Sequence, residues 1–219
     1  MLFALALAVA ATDGAAEAPS PRYHECIALV SADLEQGRKA AQRWAGEGGG
    51  ADAQHCLAIA DIAAGFPKLA AVRLQDIAQR KDAGDDFIRA RLFAQASEAW
   101  LEAGEIDQAA HAIETAFGLA PDAGELYLTA AKIDGAKKDW QRAIRSVNAA
   151  EAANFRSVET YVVRARAYIA LGDYESAAHD VVNALTIEPT NLDALVLRGE
   201  IQQAGVVIEV FYGDREADD

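Results

Sequence analysis

A 34-residue period runs through the second half of this chain, and it constrains the fold more than any single segment does, because a repeat array is misread when taken helix by helix. Counted from Ala90, the block ending at Ala123 places Phe93, Trp100, Gly104, Ala109, Ile113, Ala116 and Pro121 at offsets 4, 11, 15, 20, 24, 27 and 32. The block from Val158 to Asn191 holds Tyr161, Tyr168, Gly172, Ala177, Val181, Ala184 and Pro189 at the same offsets, with Ala165 at offset 8. Residues 124–157 keep the register through Tyr127, Ala131, Ala143, Val147 and Ala150. There Asp134 replaces the aromatic at offset 11, Lys138 the glycine at offset 15 and Phe155 the proline at offset 32.

Each offset has a physical reason. Bulky residues at 4, 11 and 24 fill the space between two helices, and small ones at 8, 20 and 27 let the backbones approach. Glycine closes the turn inside the pair, and proline at 32 ends the second helix because it cannot continue one. Composition agrees: 52% of residues are apolar but only 7% aromatic, with five prolines in an alanine-rich chain, so helix formers outnumber the residues that fill strands. The net charge of −14 would repel a phosphate backbone and argues against nucleic acid as a partner.

This pattern resembles the tetratricopeptide repeat family, most closely at Gly172, Asp173, Tyr174 and Pro189. The resemblance implies an all-α, right-handed superhelical stack of antiparallel helix pairs, an α-solenoid. Upstream, Ala58, Gly65, Ala70, Leu74 and Ile77 match offsets 8, 15, 20, 24 and 27 of a block starting near Ala51, and an insertion around 81–86 then shifts the phase. A first, divergent pair is expected over 22–46, with Ala40 and Trp44 in the places Ala70 and Leu74 take later. The repeats are thus 22–46, 51–84, 90–123, 124–157 and 158–191, followed by a capping helix over 192–205 and an irregular acidic tail over 206–219.

Residues 1–20 read as a signal peptide. The apolar run from Leu2 to Ala11 is too short to span a bilayer, and small residues at Ala8 and Ala10 or Ala16 and Ala18 suit cleavage. An exported, periplasmic or envelope-associated protein is expected, with a cytoplasmic one as the alternative and no transmembrane span in the mature chain. Export would let the only two cysteines, Cys26 and Cys56, oxidise; their 30-residue spacing equals that from Ala40 to Ala70, which puts both on neighbouring first helices and makes a disulfide plausible. A zinc site formed with His24 and His55 is the competing reading, and the diverging directions of adjacent helical side chains favour surface histidines instead. His111 and His179 share offset 22, a solvent-facing position.

No H-E-x-x-H, phosphate loop, nucleophile turn or cofactor fingerprint is present, and Gly46, Gly48 and Ala51 follow a helix with no βαβ unit around them. A non-enzymatic scaffold without cofactor or metal follows as the expectation, binding a protein or peptide in the concave groove lined by the first helices. The lining at offsets 2, 5, 9, 12 and 13 is Arg91, Ala94, Glu98, Leu101 and Glu102, then Glu125, Leu128 and Lys132, then Glu159, Val162, Arg166 and Ile169. Lys132 and Arg166 are placed to pair with Glu98 or Glu159. The carboxylate clamp of some family members is absent, since Ala94, Glu98, Thr129, Glu159 and Val163 stand at its positions. The alternative function is a structural or oligomerisation element of the cell envelope with no groove ligand.

Overall fold

The computed structural model describes residues 20–80 and 82–208; all of the expected leader except Ser20, and the tail from residue 209, lie outside the described residues. The described chain forms α1 (Pro21–Ala32), α2 (Leu34–Gly46), α3 (Gly50–Ala63), α4 (Pro67–Ala78), α5 (Asp86–Glu102), α6 (Ile106–Leu119), α7 (Gly124–Ala136), α8 (Trp140–Ala152), α9 (Val158–Ala170), α10 (Tyr174–Ile187) and α11 (Leu192–Gln203), with no strand among them. Odd and even helices pair in sequence and stack into a solenoid with α11 at its end.

Local chemistry starts the helices where they start. The side chains of Ser20, Asp33, Asp85, Asp139, Ser157, Asp173 and Asn191 each accept a hydrogen bond from a first-turn backbone N–H, satisfying donors that a helix N-terminus leaves open. Pro21 and Pro67 occupy the first helical position, where a missing N–H costs nothing. Inside the pairs the turn needs a left-handed residue at offset 15. Gly65, Gly104 and Gly172 take it with φ of 79°, 76° and 79°, and Lys138 takes it with φ of 61°. A side chain is disfavoured in that conformation, so the degraded repeat keeps the turn at a cost.

Packing follows the offsets. Ala70, Ala109, Ala143 and Ala177 at offset 20 are buried, as are Leu74, Ile113, Val147 and Val181 at offset 24. In the first pair the close approach belongs to Gly37 and Ala41 instead of the expected Ala40, which is partly exposed. A Cβ on Gly37 would lie 2.5 Å from the Val30 Cα, so only glycine lets α1 and α2 touch there.

The apolar core is divided into three clusters, one around Cys26, Trp44 and Leu57, one from Ala58 to Ile133, and one from Val162 to Ile208. Polar groups hold the joint between the second and third. Arg164 on α9 donates to both Asp180 oxygens on α10, at 2.8 and 2.7 Å, and to Asn148 and Glu151 on α8, at 2.8 and 2.7 Å. Burial pushes the Asp180 carboxyl up while the guanidinium pulls it down; Arg164 itself, gripped first by Asp180 and then by Glu151, is held firmly charged.

Cys26 on α1 and Cys56 on α3 are joined by a disulfide with their Cα atoms 6.3 Å apart. The bridge ties neighbouring first helices of the most divergent pairs. Closing a loop of this length stabilises by roughly 3–4 kcal/mol in the chain-entropy model. Reduction is therefore expected to lower the denaturant midpoint of the α1–α3 region first, read as loss of Trp44 fluorescence change ahead of the remaining helical signal; an unchanged midpoint would refute the assigned contribution. Lys138→Gly is expected to stabilise by about 0.5–1 kcal/mol, relieving the left-handed strain net of glycine's entropy, as read by urea denaturation.

Candidate functional site

The first helices build the site, and they do so unevenly. α1 packs on α3, α5 on α7, α7 on α9 and α9 on α11, whereas α3 and α5 do not pack closely. The segment that follows α4, where the period loses its phase, separates them. A cavity of about 1210 Å³ opens there, with Trp44, Ile77, Ile88 and Leu92 as apolar lining and His55, Gln95, Arg91, Asp52 and Asp82 as polar lining.

A hydrogen-bonded chain crosses this gap. The Tyr23 hydroxyl on α1 and His55 Nδ1 on α3 are 2.8 Å apart, and His55 Nε2 lies 2.7 Å from Gln95 Oε1 on α5. With Gln95 accepting, Nε2 carries the ring proton and Nδ1 accepts from the tyrosine. The tyrosine ring also stacks on the imidazole at 5.7 Å. At the mouth, Ser20 Oγ donates to Asp52 at 2.7 Å, and Asp82 accepts from the Ala51 backbone N–H at 3.2 Å and from Arg80 at 2.8 Å. His55 stands at offset 5 of its block, where Ala94, Leu128 and Val162 of the later repeats are covered by the next first helix.

His55 is thus not the surface histidine expected from the sequence, whereas His24, His111 and His179 are exposed. Burial lowers the imidazole's affinity for a proton and outweighs the opposing pull of Gln95 and Asp52. Its pair of hydrogen bonds and the bridged cysteines leave the zinc reading without ligands, and among the described residues no group of three or more His, Cys, Asp or Glu is placed to hold a metal ion. The signal that could have found this cavity was the phase-shifting insertion itself, which displaces one first helix from its neighbour.

The groove residues read from the sequence fall into two sets. Ala94, Leu128 and Val162 are buried between neighbouring helices and cannot line an open groove, a correction to the expected lining, because offset 5 is the contact point of successive first helices. Leu101 and Ile169 are partly buried. The charged members form a ladder of ion pairs across the repeats. Arg91 meets Glu125 at 3.4 Å, Lys132 meets both Glu98 and Glu159 at 2.7 Å, and Arg166 pairs with Asp193 on α11 instead of with either glutamate. Burial pulls the Lys132 ammonium down, yet Glu98 and Glu159 hold it above its usual value.

Sequence reading also missed Asp61, at offset 11 like Asp134. It is fully buried and meets Arg38 at 2.8 Å and Arg73 at 3.3 Å. Asp134, whose carboxyl burial pushes up, accepts from Ser146 at 2.9 Å and meets Arg142 at 3.1 Å. These pairs tie helices together.

Because His55 resists protonation in the folded state, the unfolded chain takes up its proton first as pH falls below about 6.5. Stability that is complete above that pH is lost on acidification toward the lower folded value. The fall in unfolding free energy between pH 7.5 and 5 is expected to be steeper than in His55→Gln, which preserves a hydrogen-bonding side chain without the titration. Equal slopes in urea titrations across that range would count against it.

No family model and no curated protein matches this sequence. Solved structures do match in shape. A tetratricopeptide repeat protein from Parabacteroides merdae aligns with TM-score 0.69 at 14% identity, over 86% of this chain and 74% of that one. A thermophilic TPR protein of Thermus thermophilus aligns with TM-score 0.65 at 16% identity, over 83% of this chain and 99% of that one. YrrB, described as a TPR protein with an unusual peptide-binding site, aligns with TM-score 0.54 at 14% identity, over 81% and 90%. The chain has the TPR-like fold.

Proposed function

From a TPR-like stack whose first-helix face opens into a cavity, we propose that this protein is a non-enzymatic interaction scaffold that binds a protein or peptide, with the α3–α5 cavity as the anchoring point. The single observation that carries this reading is the cavity of about 1210 Å³, which has room for one or two side chains of a bound segment between Trp44, Ile77, Ile88 and Leu92. Arg91 and Gln95, one helical turn apart on α5, offer polar contacts to the segment's backbone at the edge of that lining. The neighbouring fold described as carrying a peptide-binding site supports the general mode. Farther along, the ion-paired ladder through Lys132 would give the bound segment a polar, water-accessible floor, contributing register more than affinity.

The bridged Cys26–Cys56 pair and the apolar N-terminal run support an exported protein working in an oxidising compartment. No helix among the described residues is long and apolar enough to cross a membrane. An assembly element without a groove ligand is the second reading, favoured by the apolar end of α11, where Leu192 and Val196 are exposed.

Peptides selected from a random display library on the oxidised protein test the first reading. Gln95→Trp, which fills the gap, and Arg91→Glu are each expected to weaken the selected peptides at least tenfold, about 1.4 kcal/mol, in calorimetry. Selected peptides that tolerate Gln95→Trp would move the site away from the cavity, and a library that yields no binder would favour the assembly reading.

A further inference from the structure

Most lysines and arginines among the described residues are matched to a carboxylate, in the ladder on the first helices and in the buried clusters alike. Arg43 on α2 forms no ion pair among those residues. Neither do Lys137, Lys138 and Arg145, which fall together where α7 turns into α8. Arg142 stands among them and reaches down to the buried Asp134 at 3.1 Å. All four side chains are exposed. Little opposes this charge locally. Asp139 accepts from the Arg142 backbone N–H as the cap of α8, and the Asp134 carboxyl, pushed up by burial, also accepts from Ser146. Along α8 no further carboxylate comes before Glu151, which is taken up by Arg164 and Arg156.

The second helices before and after α8 are built differently at the same offsets. At offset 18, α6 carries Asp107 and α10 carries Glu175, both exposed, where α8 carries Gln141. At offset 25 the exposed Glu114 of α6 gives way to Asn148. Arg145 at offset 22 stands between the exposed His111 and His179. The patch is thus one helix wide, in a chain whose net charge is −14. Lys138 adds a second, independent observation. It holds the turn with φ of 61° where Gly65, Gly104 and Gly172 serve the other pairs, so a cationic side chain stands there at a cost in stability. Strain held at one exposed position, inside the one cluster of unmatched cations, points to a use for the charge.

We propose that the α7–α8 turn and the exposed face of α8 form a docking surface for an acidic protein segment, gripped by Lys137, Lys138 and Arg145 with Arg142 beside them. The width of the patch selects this partner over larger polyanions. The flanking second helices lie roughly 10 Å to either side, about one helix diameter, and carry Asp107, Glu114 and Glu175. A duplex or an anionic bilayer covers several helices at once and would meet those carboxylates as well as the cations. A short segment laid along α8 meets the cations alone, and screening over about 8 Å hides it from the rest of the negative chain. None of these four residues lines the α3–α5 cavity, so this surface is separate from the binding point proposed above.

The test uses the full oxidised chain and a fluorescent peptide of about ten residues that alternates glutamate with serine, read by anisotropy. The peptide is expected to bind at an ionic strength of about 0.05 M and to be released toward about 0.3 M. Lys138→Gly is expected to weaken it about threefold although the fold becomes more stable, so the loss cannot come from unfolding. Adding Arg145→Gln is expected to bring the loss to about tenfold, while Arg43→Gln, which removes an unmatched cation elsewhere, changes nothing. A peptide that does not bind, or that binds both patch variants as well as the native chain, overturns the proposal. So does a chain that binds vesicles of phosphatidylglycerol and phosphatidylcholine, or duplex DNA, more tightly than the peptide, which would give the patch to a membrane or a nucleic acid.

Discussion

Everything in this stack depends on how closely two helical backbones can come together. Alanine at offset 20 of four successive pairs, and Gly37 in the first, remove the side-chain atoms that would hold helices apart, and the larger residues at offset 24 then fill what remains. Because the approach recurs with the period, each pair presents the next with the same surface. The solenoid is the outcome of repeating one contact. Where the period slips, between α4 and α5, even helices still pack on odd ones but α3 no longer packs closely on α5 and reaches it through the His55–Gln95 hydrogen bond. One run of residues out of register is enough to convert a packed face into a cavity.

The fold was legible because its signal is positional. Gly104 and Gly172, Ala109 and Ala177, Pro121 and Pro189 recur at fixed intervals, and an interval survives even where a residue type does not. Lys138 shows why: the turn conformation at offset 15 is dictated by the packed helices on either side, and the side chain there accommodates it. The site was much less legible. Ala94, Leu128 and Val162 were read as groove lining because they fall on the first helices, yet a first helix has two neighbours of its own kind, and offset 5 is spent on them. His55 stands at that same offset and could be understood only once the absence of close α3–α5 packing was known. Sequence periodicity reports what is regular, and the cavity is the place where regularity fails.

Buried carboxylates were equally hidden. Asp61 and Asp134 occupy an offset that Trp100 and Tyr168 fill with aromatic rings, so a substitution that reads as decay is a different solution to the same packing problem. Each carboxylate is met by arginine, Asp61 by Arg38 and Arg73 and Asp134 by Arg142, and taking any buried charge from its partner would leave it uncompensated. The pairs contribute directionality more than net stability.

Directionality matters most at Arg164. Two apolar helix faces can slide and rotate by several degrees with little change in buried area, because ridges settle into grooves over a broad range of angles. A planar guanidinium held on both oxygens of Asp180 and on Asn148 and Glu151 permits no such freedom, since its donors point along fixed directions. The joint between α8, α9 and α10 is therefore pinned, as the joint of α2, α3 and α4 is pinned where Arg38 and Arg73 grip Asp61. The pitch of the superhelix, and with it the curvature of the inner face, is fixed at such points by hydrogen-bond geometry and between them by the closeness of alanine against alanine.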